Sequence, residues 1–315
     1  MGFLAKGQVV ALVNYMSQIL VELIKLANLI VLLVRAFSSV ARVQQIMDMP
    51  WDERTYLPKE QTRQNADAVS YENVSFAYPD AGEMAITDID FSVPEHGTVG
   101  IIGGTGSGKS TVLHLLNHMY DATRGKVYVY GKDVQSYDTK ELTKMVGLVS
   151  QKSVLFHGSI RDNIRFGRPE VTEDMIATAI HAAQADNVIE SKEHGLDEEI
   201  LQDARNLSGG QRQRLAIARA LAGEPKILIL DDSASALDVA TDAALRKAIR
   251  ALPWKPTTFI ISQRASSVMD ADQILVMDNG CIVGKGTHEV LLQENAVYQE
   301  IYYSQFPKEN AEENA

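Results

Sequence analysis

Cysteine is nearly missing from these 315 residues, Cys281 being the only one. That excludes a disulfide framework and fits a reducing compartment. A lone thiol of this kind is expected to be a small buried residue. Excess positive charge is missing too: 30 Lys and Arg face 41 Asp and Glu, for a formal net charge of −11. Phosphate backbones are gripped by clustered Lys and Arg, so a nucleic-acid partner is not expected. No small-residue cleavage site follows the apolar run near the N-terminus, which argues against a signal peptide. Lys6 stands where N-myristoylation needs Ser or Thr. What is present, 45% hydrophobic and 23% charged residues, is ordinary for a globular chain. The length suffices for one α/β domain of ~200 to 250 residues, with a remainder.

The remainder lies at the front. Val9 to Val34 is mostly apolar and as a helix would span ~39 Å, enough to cross a bilayer with tilt. It carries a polar stripe, however: at 100° per residue Asn14, Gln18, Glu22, Lys25 and Asn28 share one face. Such a stripe is expected to look at other helices or a watery cavity. The pattern predicts a transmembrane helix within residues 1–47, with Arg35 and Arg42 at its cytoplasmic end. An amphipathic helix packed on a globular core is the alternative. Pro50, Pro58 and a dense run of charges read as a linker over 48–67.

The most informative stretch is Gly103, Gly104, Thr105, Gly106, Ser107, Gly108, Lys109, Ser110 and Thr111. An apolar run, Val99 to Ile102, precedes it and a helical pattern, Val112 to Met119, follows. Strand, glycine loop and helix in this order make a phosphate-binding loop. Glycines let the backbone turn so that several N–H groups point at one phosphate chain, and the helix N-terminus adds to the attraction. Lys109 would reach the β and γ phosphates and Ser110 would hold Mg²⁺.

Other segments fit around it. Tyr78 ends an alternating strand and could stack on adenine, or belong to the core. Gln151 follows the strand Met145 to Ser150, at the end where ligands of α/β sheets bind. Ile160 to Lys192 has helical spacing and reads as an inserted lobe. Ser208, Gly209, Gly210 and Gln211 open the next helix, with Ser208 and Gln211 spaced as a capping box. Its exposed N–H groups could bind an anion. The run Ile227 to Leu230 ends in Asp231 and Asp232; continuous apolarity implies a buried parallel strand. Asp231 would then join the Mg²⁺ shell and Asp232 would orient water. Thr258 to Ile261 is a last buried strand before Gln263, and Asp278-Asn279-Gly280 reads as a hairpin turn.

Taken together these motifs resemble the nucleotide-binding domain of an ATP-binding cassette (ABC) transporter, a P-loop NTPase fold of α/β class with a β subdomain and an inserted helical subdomain. The resemblance spans residues 68–305, with an acidic tail over 306–315. It implies ATP and Mg²⁺ as cofactors. It makes Tyr78 the adenine-stacking A-loop, Gly103 to Ser110 Walker A, and Gln151 the Q-loop, a group near metal and attacking water. Leu207 to Gln211 become the signature, Ile227 to Asp231 Walker B, and Asp238 the D-loop. The front helix resembles the last membrane helix of an exporter half-transporter, which would make the chain a truncated product or fragment. Expected with it are membrane lipid, and a cell-membrane location with the cassette on the cytoplasmic face.

Two positions depart from that family's hydrolytic pattern: Asp232 stands where a glutamate is usual, and Gln263 where a switch histidine is usual. Aspartate falls short by ~1.5 Å, and misplacement of that size can cost ~10²-fold in rate. Glutamine can donate to a γ phosphate but carries no imidazolium charge. The resemblance is therefore to the degenerate half of a heterodimeric exporter, its intact signature serving a partner half-transporter that carries the usual Glu and His. The stretch Gln202 to Asn206 before the signature also departs from the family pattern. A soluble cassette protein of repair or translation type, and a regulatory ATP-binding module without turnover, are the alternatives.

Overall fold

The computed structural model describes residues 6–48, 63, 66–79, 81–233 and 235–306. Most of the expected linker and all but Phe306 of the acidic tail lie outside the described residues. Two compact units divide at Thr55 and Tyr56.

Among the described residues the first unit holds one helix, α1 (Lys6–Met47), none of whose residues is buried. Among the described residues, no helix is long and apolar enough to cross a membrane. The single bilayer-crossing span expected from the sequence is therefore not found as such. At 42 residues α1 has length to spare, so apolarity is the weak point. Amides and charges recur along it, including the exposed Glu22–Lys25 pair at 2.7 Å.

In the second unit the sequence builds two layers of sheet and a helical layer. Strands β1 (Val69–Phe76), β2 (Ile86–Val93), β3 (Thr98–Gly103), β4 (Arg124–Val129), β5 (Lys132–Asp133) and β6 (Val146–Val149) come first. Helices α2 (Lys109–Leu116) and α3 (Thr139–Met145) lie among them. The short pair β7 (Gly158–Ser159) and β8 (Glu199–Ile200) brackets α4 (Ile160–Arg165), α5 (Glu173–Ala182) and α6 (Asp186–Glu190). Then follow α7 (Gly209–Leu221), β9 (Ile227–Asp231), α8 (Val239–Arg250), β10 (Thr257–Ile261) and α9 (Ala265–Val268). A hairpin of β11 (Gln273–Asp278) and β12 (Cys281–Gly286), and helices α10 (His288–Glu294) and α11 (Ala296–Gln305), complete it.

The central six-stranded sheet has the order β12-β11-β3-β10-β9-β6, all pairs parallel except β11 with β12. β2-β1-β4-β5 form a separate antiparallel sheet. Because side chains alternate along a strand, the central sheet feeds two cores. Ile101, Ile227, Ile229, Phe259 and Ile261 pack with the antiparallel sheet and α2. Their neighbours Ile102, Leu228, Leu230 and Ile260 pack with Ile176, Leu215 and Ile217 of the helical layer. Coverage of both faces is why every residue of β3 and β10 is buried and why β9 reads as an apolar run up to Asp231.

The helical lobe expected over 160–192 consists of three helices, α4, α5 and α6. Phe166 ends α4 with φ 44°, Pro169 follows, and Gln184 at φ 56° separates α5 from α6. The hairpin forms as its Asn-Gly turn predicts, with Asn279 at φ 46° and Gly280 at φ 78°. Cys281, expected to be buried, is exposed. β12 is an edge strand, and its first residue follows the turn.

Candidate nucleotide site

Strand register determines which side chains meet. Asp231 pairs with Ile261, Ile261 with Ile101, and one row back Leu230 pairs with Val149. Gly103 and Gln263 therefore each lie two residues past one row, with Gln151 two past Val149. All leave the sheet at its carboxyl edge beside Asp231 and Asp232, the edge where α/β folds bind ligands. Sequence positions up to 160 apart are thus brought together by parallel pairing alone.

The glycine loop is built for close approach. A Cβ on Gly103 would fall 2.1 Å from the Met277 carbonyl oxygen and 2.7 Å from Ser107 Oγ, so only glycine fits. Gly106 and Gly108 have φ of 81° and 96°, which favour glycine. Around Gly104 and Gly106 a Cβ would meet nothing within 4 Å, leaving open the side on which a phosphate chain would lie. A cavity of about 280 Å³ is lined here by Tyr78, Ala85, Gly106, Lys109, Ser110 and Thr111.

Lys109 Nζ donates to Gly103 O at 3.0 Å, Gly104 O at 2.6 Å and Ser107 Oγ at 3.3 Å. Burial lowers its pKa, while the Asp231 and Asp232 carboxylates raise it less. Asp231 shows the complement: burial, then the Asp232 charge, pushes its carboxyl up. A desolvated carboxylate beside a like charge suits a divalent cation. Ser110 Oγ lies 3.5 Å from Asp231 Oδ2, so hydroxyl and carboxylate present oxygens to one point, as a Mg²⁺ site requires. The donor set and the glycine cradle fit a magnesium nucleotide.

Tyr78 is fixed from two sides. Its ring meets Phe76 and Tyr120 edge to face, with centroids 4.9 and 5.2 Å apart. Its hydroxyl lies 3.1 Å from both Thr111 Oγ1 and His114 Nδ1. His114 escaped notice in the sequence, although it stands three residues after Thr111 on the same helix face. Asp232 has φ 45°, unusual for a non-glycine residue, and its N–H donates to Ile261 O at 2.9 Å. Gln151 Nε2 donates to Asp232 Oδ2 at 3.2 Å. Gln263 is exposed at the same edge.

The remaining predicted residues stand apart from this cavity. Ser208 and Gln211 form the expected capping box: Gln211 N donates to Ser208 Oγ at 3.3 Å, and Ser208 N to Gln211 Oε1 at 2.9 Å. Gly209 and Gly210 face the turn at Ala236. Asp238 caps α8 by accepting from Thr241 N at 2.9 Å and Thr241 Oγ1 at 2.7 Å, which hold its carboxyl below the usual range. Gln151 and Gly209 line a second cavity of about 550 Å³ that shares no lining residue with the first. Within one chain, therefore, the signature glycines do not line the cavity of the glycine loop.

A glycine cradle, a cationic lysine and paired aspartates at the carboxyl edge of a mainly parallel sheet define a mononucleotide-binding domain of P-loop NTPase type. Residues 86–235 match the family model described as ABC transporter, and the chain carries the ATP-binding domain of that family. It is 39% identical over 308 residues to the ABC transporter ATP-binding protein YfiB of Bacillus subtilis, covering 97% of this chain and 53% of that protein. The ATP-dependent lipid A-core flippase of Haemophilus ducreyi is 39% identical over 239 residues, covering 76% of this chain and 41% of that protein. A bacterial Atm1-family ABC exporter with ATP bound superposes with a TM-score of 0.75 at 30% identity, covering 98% of this chain and 54% of that one. The chain spans about half the length of the curated relatives it matches. ABC ATPase domains bind ATP with Mg²⁺, and the residues gathered at the glycine loop fit that pair.

Proposed function

We propose that the chain binds and hydrolyses MgATP as the cassette of an exporter half-transporter, and that α1 belongs to the membrane domain of that assembly. The observation that carries this reading is the exporter match, which extends over 98% of the chain and so includes α1 as well as the cassette. A helix with a polar stripe makes a poor isolated span but suits a bundle, where the stripe is covered by other helices. The row of exposed Leu, Val and Ile along α1 is consistent with lipid and helix neighbours. The amides and charges along α1, the exposed Glu22–Lys25 pair among them, favour a second reading, a soluble cassette protein; membrane pelleting of the expressed chain separates the two.

The chain's own site, in this reading, turns over slowly. Asp232 follows the Mg²⁺-side Asp231 but is short by one methylene, and Gln263 carries no positive charge. Ser208 to Gln211, well formed and placed apart from the chain's own glycine loop, complete the site of a partner half-transporter bearing the usual Glu and His. Mixing the chain with such a partner is expected to raise ATPase activity well above that of either alone. Lys109→Ala should weaken MgATP binding by ~10² or more, since it removes a charge-assisted bond to phosphate. Robust turnover by the purified chain alone, or unchanged affinity in Lys109→Ala, would refute the reading.

A further inference from the structure

The turn that carries Gln263 is held at both ends by one side chain from the C-terminal helix. Gln305 Oε1 accepts from Ala265 N at 2.9 Å, and its Nε2 donates to Gln263 O at 2.7 Å. Both bonds satisfy backbone groups that the local chain leaves open. Ala265 is the first residue of α9, whose N-cap, Arg264, makes no side-chain cap bond. The Arg264 guanidinium reaches away instead, donating to Leu237 O at 3.3 Å and Ser235 O at 3.2 Å. The three-residue turn 263–265 is thus tied to the segment before Asp238 on one side and to α11 on the other.

The frame behind Gln305 is firm. Tyr298, one of the largest fully buried side chains, anchors α11, and its hydroxyl lies 2.8 Å from His288 Nδ1. Asn295 caps the helix by accepting from Tyr298 N at 2.8 Å. One planar amide engaging two backbone groups also leaves the turn little freedom to rotate, because donor and acceptor lie in a fixed plane.

We infer that Gln305 is a positioning residue for Gln263: by bridging Gln263 O and Ala265 N it sets where the Gln263 side chain meets the terminal phosphate of a bound nucleoside triphosphate. This rests on the site reading given above. Its consequence is that the C-terminal helix governs discrimination between triphosphate and diphosphate without touching either.

Equilibrium binding of MgATP and MgADP to the full chain tests it, alongside amide exchange at Ala265. Gln263→Ala should lower the ATP-to-ADP affinity ratio by removing a γ-phosphate contact. Gln305→Met, similar in length but without the amide, should lower that ratio by ~5-fold toward the Gln263→Ala value with ADP affinity unchanged. Exchange at Ala265 should quicken by ~10-fold. If Gln305→Met does not fold, Gln305→Glu keeps the acceptor for Ala265 N and loses the donor to Gln263 O. It should retain Ala265 protection while the ratio still falls. A fall in Gln263→Ala with no fall in the Gln305 variants, or equal loss of both nucleotides in those variants, would overturn the role of Gln305 alone. A wild-type chain that binds neither nucleotide, or a Gln263→Ala ratio equal to wild type, would overturn the site reading and this inference with it.

Discussion

Gln151 and Asp232, 81 residues apart, meet at the carboxyl edge of the sheet with Nε2 to Oδ2 at 3.2 Å. The amide occupies the Asp232 carboxylate on the side that faces the strand end after β6, so the carboxylate is oriented even though it is short. Asp232→Glu should extend that carboxylate toward the attacking water while Gln151 continues to orient it. Single-turnover hydrolysis at this chain's site is expected to rise by ~10-fold, or ~1.4 kcal/mol of barrier. Gln263→His should add a further gain that is not simply additive, because both groups are proposed to act on one reacting centre. The measurement uses the assembled pair with the partner's glutamate changed to glutamine; a gain in ATP affinity with no gain in rate would contradict it.

Asp231 should cost the nucleotide-free fold stability at neutral pH. Burial and the Asp232 charge raise its pKa above the ordinary aspartate value of 3.8, so between that value and the raised one the folded state holds more protons than the unfolded state. The stabilising share of this group is complete below 3.8 and is lost as pH rises through the folded pKa. Asp231→Asn should therefore raise the thermal midpoint at pH 7 in the absence of nucleotide, by an amount that shrinks as pH falls toward 3.8. With MgATP present the order should reverse, because the variant lacks the carboxylate proposed to hold Mg²⁺ while the wild type is stabilised by binding. Thermal scans at several pH values, with and without MgATP, check both parts.

Ser208→Ala should act on two levels that can be separated. Loss of the capping box exposes the first N–H groups of α7 and should lower the chain's unfolding free energy by ~1 kcal/mol, read from the denaturant midpoint. MgATP affinity of the isolated chain should hardly change, since Ser208 lines no part of the glycine-loop cavity. Activity of the mixed pair should fall much more than that stability loss explains. Equal losses in both assays would leave Ser208 a cap and nothing more.

Much of the site was legible in the sequence because its chemistry sits in contiguous motifs. Gly103 to Thr111 read as a phosphate loop from glycine spacing and the strand-to-helix setting. The Ser208–Gln211 box and the Asn279-Gly280 turn follow local rules that neighbouring residues satisfy by themselves. The apolar runs of β3, β9 and β10 announced a sheet covered on both faces. Short-range pattern did not fix where the three helices inside 160–192 end, beyond the break that Gly167 and Pro169 mark, because Phe166 and Gln184 adopt left-handed conformations that their residue types do not advertise. Nor could it place Cys281, whose exposure depends on β12 being an edge strand.

The sequence by itself therefore determined the kind of ligand expected and the groups proposed to hold it, since the phosphate-loop glycines and Lys109 form one contiguous motif and Asp231, 121 residues after Ser110, ends another together with Asp232. Only the tertiary structure decided how those groups are aimed. Parallel pairing carries Gln151 to Asp232, the fold of α2 sets Thr111 and His114 against Tyr78, and α11 brings Gln305 to Gln263 across 42 residues. Such contacts have no local signature, because an amide or imidazole acquires a partner only when the packing of distant elements brings a complementary group within about 3 Å.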